Sequence, residues 1–196
     1  KKMHFSWRFE ARAPAWQNER WDVYFQCKGR VKIGAASLFE FRYRVRAESD
    51  QGLWVNGHKR WTLRWKRDGE TVSHRVQWER LPDQMHAGKA GNSLAWMGVV
   101  QAKNIRFKCA VAGWVMPEGA ISYSAEPSLH GVKTAVMSGA GSRLSWYVSI
   151  PLGSDWEFQC AGHRLERLDR IENSSGSFST KGPVQTAWDF RLKVSM

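Results

Sequence analysis

Alternation with a period of two constrains this chain more than any other feature. In the run Leu38 to Ala47, Phe39, Phe41, Tyr43 and Val45 fall on one side, and Glu40, Arg42, Arg44 and Arg46 on the other. Only an extended strand sends successive side chains to opposite faces, so this segment is read as a strand with one aromatic face and one charged face.

The pattern recurs. Trp61, Leu63 and Trp65 alternate with Arg60, Thr62, Arg64 and Lys66. Asp68-Gly69 follows, a pair that tolerates the positive φ angles of a tight hairpin turn. A return strand then carries Val72, His74, Val76 and Trp78 opposite Ser73, Arg75, Gln77 and Glu79. Weaker alternations run through Phe5–Phe9, Trp21–Cys27, Ile105–Val111, Leu144–Ile150 and Trp188–Val194. Helical periodicity is confined to 164–173, where Leu165, Leu168 and Ile171 line up and predict a short amphipathic helix. Loops are expected over 83–93, 138–142 and 173–177, where Gly, Ser and Asn gather.

Many short strands with glycine-rich turns predict a mostly β fold, an antiparallel sandwich or barrel with one short helix near 164–173. A length of 196 residues suits one domain spanning 1–196. The aromatic strand faces are expected to form its core and the basic faces its outside. The 12 tryptophans exceed what one core of this size needs, so assembly into a homo-oligomer or larger particle is a further expectation.

Lys and Arg number 30 against 18 Asp and Glu, a formal charge of +12. The excess is concentrated in residues 1–100, with 19 basic against 10 acidic side chains. Such a balance favours nucleic acid or another polyanion as partner. Arg42, Arg44 and Arg46 would stand about 7 Å apart along one strand, close to the spacing of successive phosphates. With Arg64, Lys66 and Arg75 on the adjoining hairpin they form the candidate nucleic-acid-binding platform, because guanidinium groups grip phosphate bidentately. A solvated outer face would look the same in sequence.

Catalytic signatures are scarce. No nucleophile elbow, Walker loop, zinc-protease helix or zinc-deaminase pattern is present. Cys27, Cys109 and Cys160 stand far apart with no C-x-x-C pair, so no metal or cofactor is expected; one disulfide remains open. His58, His163 and Asp155 are the best candidates for a hydrolase or nuclease site assembled from distant segments. Wholly apolar runs such as 95–100 are too short to span a bilayer, so no transmembrane segment is expected. The chain opens on Lys1-Lys2-Met3, and on that ground an N-terminal part is expected to have been trimmed or to lie outside this sequence.

The function expected from these features is non-catalytic: a nucleic-acid-associated β-protein, such as a structural subunit of a viral or phage particle or of a ribonucleoprotein. The alternative is an exported carbohydrate- or protein-binding module that uses exposed tryptophans such as Trp16, Trp54 and Trp156.

Overall fold

A computed structural model describes residues 3–12, 21–50, 53–55, 59–81, 90–118, 120–169, 172–175, 178–181 and 183–194. Alternation becomes strand almost everywhere it was read. The strands are β1 (Met3–Arg12), β2 (Trp21–Ile33), β3 (Ser37–Asp50), β4 (Leu53–Val55), β5 (Lys59–Asp68), β6 (Val72–Leu81), β7 (Gly91–Ala102) and β8 (Ile105–Val115). They continue as β9 (Ile121–Ser128), β10 (Gly131–Ser138), β11 (Ala140–Pro151), β12 (Trp156–Arg167), β13 (Glu172–Ser175), β14 (Phe178–Lys181) and β15 (Val184–Val194).

The fold is mostly β, as expected, and antiparallel. One sheet runs β1-β2-β3-β5-β6-β7-β8-β11-β12-β15, with β4 attached to β3; β9–β10 and β13–β14 are separate hairpins. Each strand of the long path pairs with the next along it, so the sheet is a meander in which direction reverses at every step.

The expected helix near 164–173 is corrected: residues up to Arg167 continue β12, Glu172 opens β13, and no helix occurs among the described residues. Leu165 is held by sheet pairing, with Arg143 on one side and Gln185 on the other. The ladder on both flanks overrides a threefold spacing of only three apolar residues. The expected loops shrink in the same way, since β7 begins at Gly91 and β11 at Ala140.

Connections divide by end. The turns 34–36, 69–71, 103–104 and 152–155 lie at one end of the sheet, and all are short. At the other end the strand ends are separated in sequence by longer stretches, of 8 to 24 residues. Asp68-Gly69 sits in its predicted turn, and Asp68 pairs with Ser73. Gly153 turns the chain at φ 108°, a backbone conformation in which a β-carbon would be strained.

The two faces differ completely. On one stand Phe5, Trp7 and Phe9, then Phe39, Trp61, Trp96, Phe107, Leu144, Trp156, Trp188 and Phe190; every strand of the path exposes a large apolar side chain. Trp7 is 82% exposed and Phe190 65%. On the other face lie Thr62, Glu79, Ser93, Lys108, Ser145, Ser149 and Gln159, all buried. The expected arrangement, aromatics inside and charges outside, is reversed.

What buries the polar face is the β9–β10 hairpin. Its inward residues Ser122, Ser124, Glu126, Ala135 and Met137 are buried against it. Met137 is fully enclosed and packs in a small cluster with Leu81, Ala112, Trp114, Met116, Ala120 and Leu165. The hairpin also reveals the curvature. Arg60 of β5 donates to the Ile121 carbonyl at 2.7 Å, and Arg167 of β12 donates to the Ser138 carbonyl. Ile121 and Ser138 are direct partners across the hairpin. In a flat sheet β5 and β12 would be five spacings, about 24 Å, apart. β9 also comes close to β7, β8, β11 and β12, more strands than one strand lying on a flat sheet approaches, so the sheet curls around the hairpin. Its polar face is concave and its apolar face convex.

Candidate functional site

The concave face is built by alternation. Each strand that places aromatics outward places its intervening polar residues inward, and the registers bring them into rows. Glu40 is flanked by Arg30 of β2 and Arg64 of β5, Arg42 by Lys28 and Thr62, and Arg44 by Gln26 and Arg60. On β6, Glu79 lies opposite Thr62, Gln77 opposite Arg64, and Arg75 opposite Lys66. The six predicted site residues therefore belong to one face of three adjoining strands, β3, β5 and β6. Arg46 occupies its place in the β3 backbone, but its side chain lies outside the described residues.

They do not form a bare positive platform. Glu40 is a hub for four cations: Arg30 at 2.9 Å, Arg42 at 3.1 Å, Lys28 at 3.2 Å and Arg64 at 3.4 Å. Glu79, only 2% exposed, meets Arg60 at 3.2 Å and Arg44 at 3.9 Å and accepts a hydrogen bond from Ser122 of the hairpin. Arg64 also donates to Gln77 at 2.9 Å. Lys66 pairs with Asp68 near the turn at 2.6 Å. A carboxylate beside several guanidinium groups fixes their side chains, because charge-assisted hydrogen bonds are the stronger kind. It does not neutralise them: six basic side chains share two carboxylates here.

The second half of the concave face is closed by the hairpin. Glu126 is 2% exposed and accepts from Arg143 at 2.9 Å and Ser145 at 2.9 Å, with Lys133 at 3.1 Å. Gln77 donates to the Tyr123 carbonyl at 3.1 Å, Trp114 to the Ser138 carbonyl at 3.1 Å, and Ser93 meets Ser122 at 3.2 Å. Arg191 of β15 lies against the His130 ring at the hairpin's tip. Glu79, Gln77, Ser122 and Glu126 escape sequence reasoning because their partners come from segments far away in the chain. Ser-x-Ser-x-Glu at 122–126, an alternating polar run between the β8 and β11 segments, was the available signal.

The other candidates do not converge. His163 and Asp155 lie on β12 and in the turn before it, about eight residues apart along the chain, and His58 lies outside the described residues. Among the described residues no group of three His, Cys, Asp or Glu is placed to hold a metal ion. Cys27, Cys109 and Cys160 are free thiols on three separate strands of the convex face. Trp156 is exposed on that face too, whereas Trp16 and the side chain of Trp54 lie outside the described residues.

No family model, curated protein or solved structure matches the chain.

Proposed function

We propose that this chain forms the wall of a transmembrane β-barrel of the outer-membrane type, with the β9–β10 hairpin folded into its lumen. The inversion of polarity carries the reading. In water, an apolar surface spanning ten strands drives aggregation, and monomeric proteins rarely expose patches beyond a few hundred Å². In a bilayer the same surface meets hydrocarbon, while the polar side lines an aqueous interior.

Four further observations support it. Strands of the long path run 10 to 14 residues, and a strand crossing a bilayer needs about 9–11. Among the described residues the path has an even number of strands, all antiparallel to their neighbours, as bacterial barrels do. Short turns occupy one end and long connections the other, the asymmetry those barrels show. Finally, the apolar band runs obliquely. Met3, Val31, Phe39, Trp65, Val76, Trp96, Val111, Leu144, Arg164 and Thr186 form one continuous row of paired residues across the sheet. In β1 the apolar residues lie from this row toward the long connections, and in β15 they lie mostly toward the short turns. Strands tilted to a membrane normal produce that drift.

No helix among the described residues is long and apolar enough to cross a membrane. Crossing by strands asks for alternate apolar residues only, which an unbroken-run criterion does not register. The polyanion reading placed Arg42, Arg44 and Arg64 on an open outer surface; their position beside Glu40 and Glu79 on the concave side supports a lumen lining. Tryptophans spread from Trp7 to Trp188 over the whole convex face favour lipid contact above a localised sugar site.

The test is folding into a bilayer. Refolded with liposomes, the chain should float with the vesicles through carbonate and urea washes and gain protection from trypsin. A monomer that stays folded in detergent-free buffer and ignores the vesicles would overturn the proposal.

A further inference from the structure

We infer that the arginines of β3 and β5 form a binding site for a phosphate-class oxyanion on the concave face. This deepens the barrel reading, and rests on it for how the ligand arrives, by way of the lumen.

The first observation is a charge conflict. Arg44 and Arg60 stand directly opposite each other across β3 and β5. Like charges in that relation repel. Glu79 serves both, yet is 3.9 Å from Arg44 and already accepts from Ser122. Arg42 and Arg64 share Glu40 with two more cations. Among the described residues the local surplus of positive charge has no further carboxylate partner.

The second observation is independent of charge. Among the described residues, Thr62, 2% exposed, has no hydrogen-bond partner for its hydroxyl, and the Nε atoms of Arg42 and Arg44 are also buried without one. Buried donors left unpaired are uncommon and costly. These three belong to adjacent positions: Arg42 pairs with Thr62, and Arg44 is the next inward residue of β3. Three unused donors, two of them on guanidinium groups, meet on one small patch of the concave face.

Their chemistry selects the ligand. Several N–H and O–H donors around a local charge excess suit an oxyanion with two or more negative charges and many acceptor oxygens. The patch covers two residues along each of two strands, roughly 7 by 5 Å, which matches one or two phosphate groups. An extended nucleic-acid strand would need a longer open track.

Titration of the detergent-folded protein with inorganic pyrophosphate tests the site, and needs no membrane insertion. We expect saturable binding that Arg44→Gln weakens about tenfold or more and Thr62→Val severalfold. Lys103→Gln, which removes a charge from an exposed turn, should leave it unchanged. Thr62→Val is nearly isosteric, and an unchanged circular dichroism spectrum would show that its fold survives. Displacement of pyrophosphate by micellar phosphatidic acid would mark a lipid headgroup as the source, and failure to displace it a water-borne phosphate; both support the site. Absence of saturable binding, equal weakening by Lys103→Gln, or equal competition by an oligonucleotide without terminal phosphates would overturn it. Flotation with liposomes while pyrophosphate fails to bind would sink this site and leave the barrel intact; the reverse result would do the opposite.

Discussion

Ile121 and Ser138 face each other across the open end of the β9–β10 hairpin, and each receives a guanidinium hydrogen bond from a different flank of the sheet, Arg60 on one and Arg167 on the other. The hairpin thus ties the curved wall together from within. One charged anchor is Glu126, buried beside Arg143 and Ser145 and reached by Lys133. Glu126→Gln removes the charge and strands two cations beside a neutral amide. Breaking a buried pair from one side costs about 3 kcal/mol or more. The urea midpoint in micelles should fall accordingly, and trypsin should cut after Lys133 faster than in the parent. An unchanged midpoint with unchanged cleavage would mean that the hairpin is held by its apolar contacts alone.

Depth in the membrane should grade the cost of charge on the convex face. Val111 lies near the middle of the β8 apolar run and Val115 at its end. Arginine facing lipid at the bilayer midplane destabilises a barrel by about 2–4 kcal/mol, and near the interface by about 0–1. Val111→Arg should therefore be far more damaging than Val115→Arg, measured by reversible unfolding from liposomes. On a water-facing surface both would stay within about 0.5 kcal/mol. Equal and small effects at the two positions would place this face in water.

The native thiols report on the same question without substitution. Cys27, Cys109 and Cys160 are unpaired, and all three side chains belong to the convex face. Embedded in hydrocarbon, they should resist a charged, membrane-impermeant maleimide while reacting with an apolar one. All three should label once the protein is unfolded in urea. Rapid labelling of Cys109 by the charged reagent in liposomes is the result that contradicts lipid contact.

The strands were legible because alternation is local: Phe39 and Arg42 declare a two-faced strand with no knowledge of the rest. So was the Asp68-Gly69 turn, whose chemistry is contained in two residues. Which face meets water was not legible. A period of two is symmetric, and an aromatic face reads identically whether it packs on a core or on lipid. Leu165, Leu168 and Ile171 imitated a helix because three apolar residues at that spacing cannot outvote a ladder on both sides of β12, and the ladder is a long-range fact. The arginine row was found from spacing, but its governing partners Glu40 and Glu79 were not. Glu79 sits on β6, and its role depends on Ser122 arriving from the hairpin. The alternation of short and long connections was an unused clue, and the tryptophan excess was read as a sign of assembly rather than of lipid contact.

The two outer strands of the path raise the last prediction. In a bilayer, unpaired backbone groups along β1 and β15 are untenable, since no water is there to satisfy them. With ten strands of alternating direction, β1 and β15 run antiparallel and can complete the same ladder. Their most exposed apolar residues, Trp7 and Phe190, mark the middle of the apolar band on each edge. Bringing the band to one height sets Trp7 beside Phe190. That register also sets Arg8 opposite Asp189 on the concave side, an attractive cross-strand pair. The drift of the band by roughly eight residues over nine strand spacings corresponds to a tilt of about 30°, close to the range of barrel strands. In a background with Cys27, Cys109 and Cys160 replaced by alanine, Arg8→Cys with Asp189→Cys should form an intramolecular disulfide in liposomes, because directly opposed β-carbons lie within bridging distance. Ser6→Cys with Asp189→Cys, two residues out of register, should form it much less. Disulfide-linked dimers without the intramolecular product would show that each edge meets a second copy, and closure of one chain on itself would be wrong.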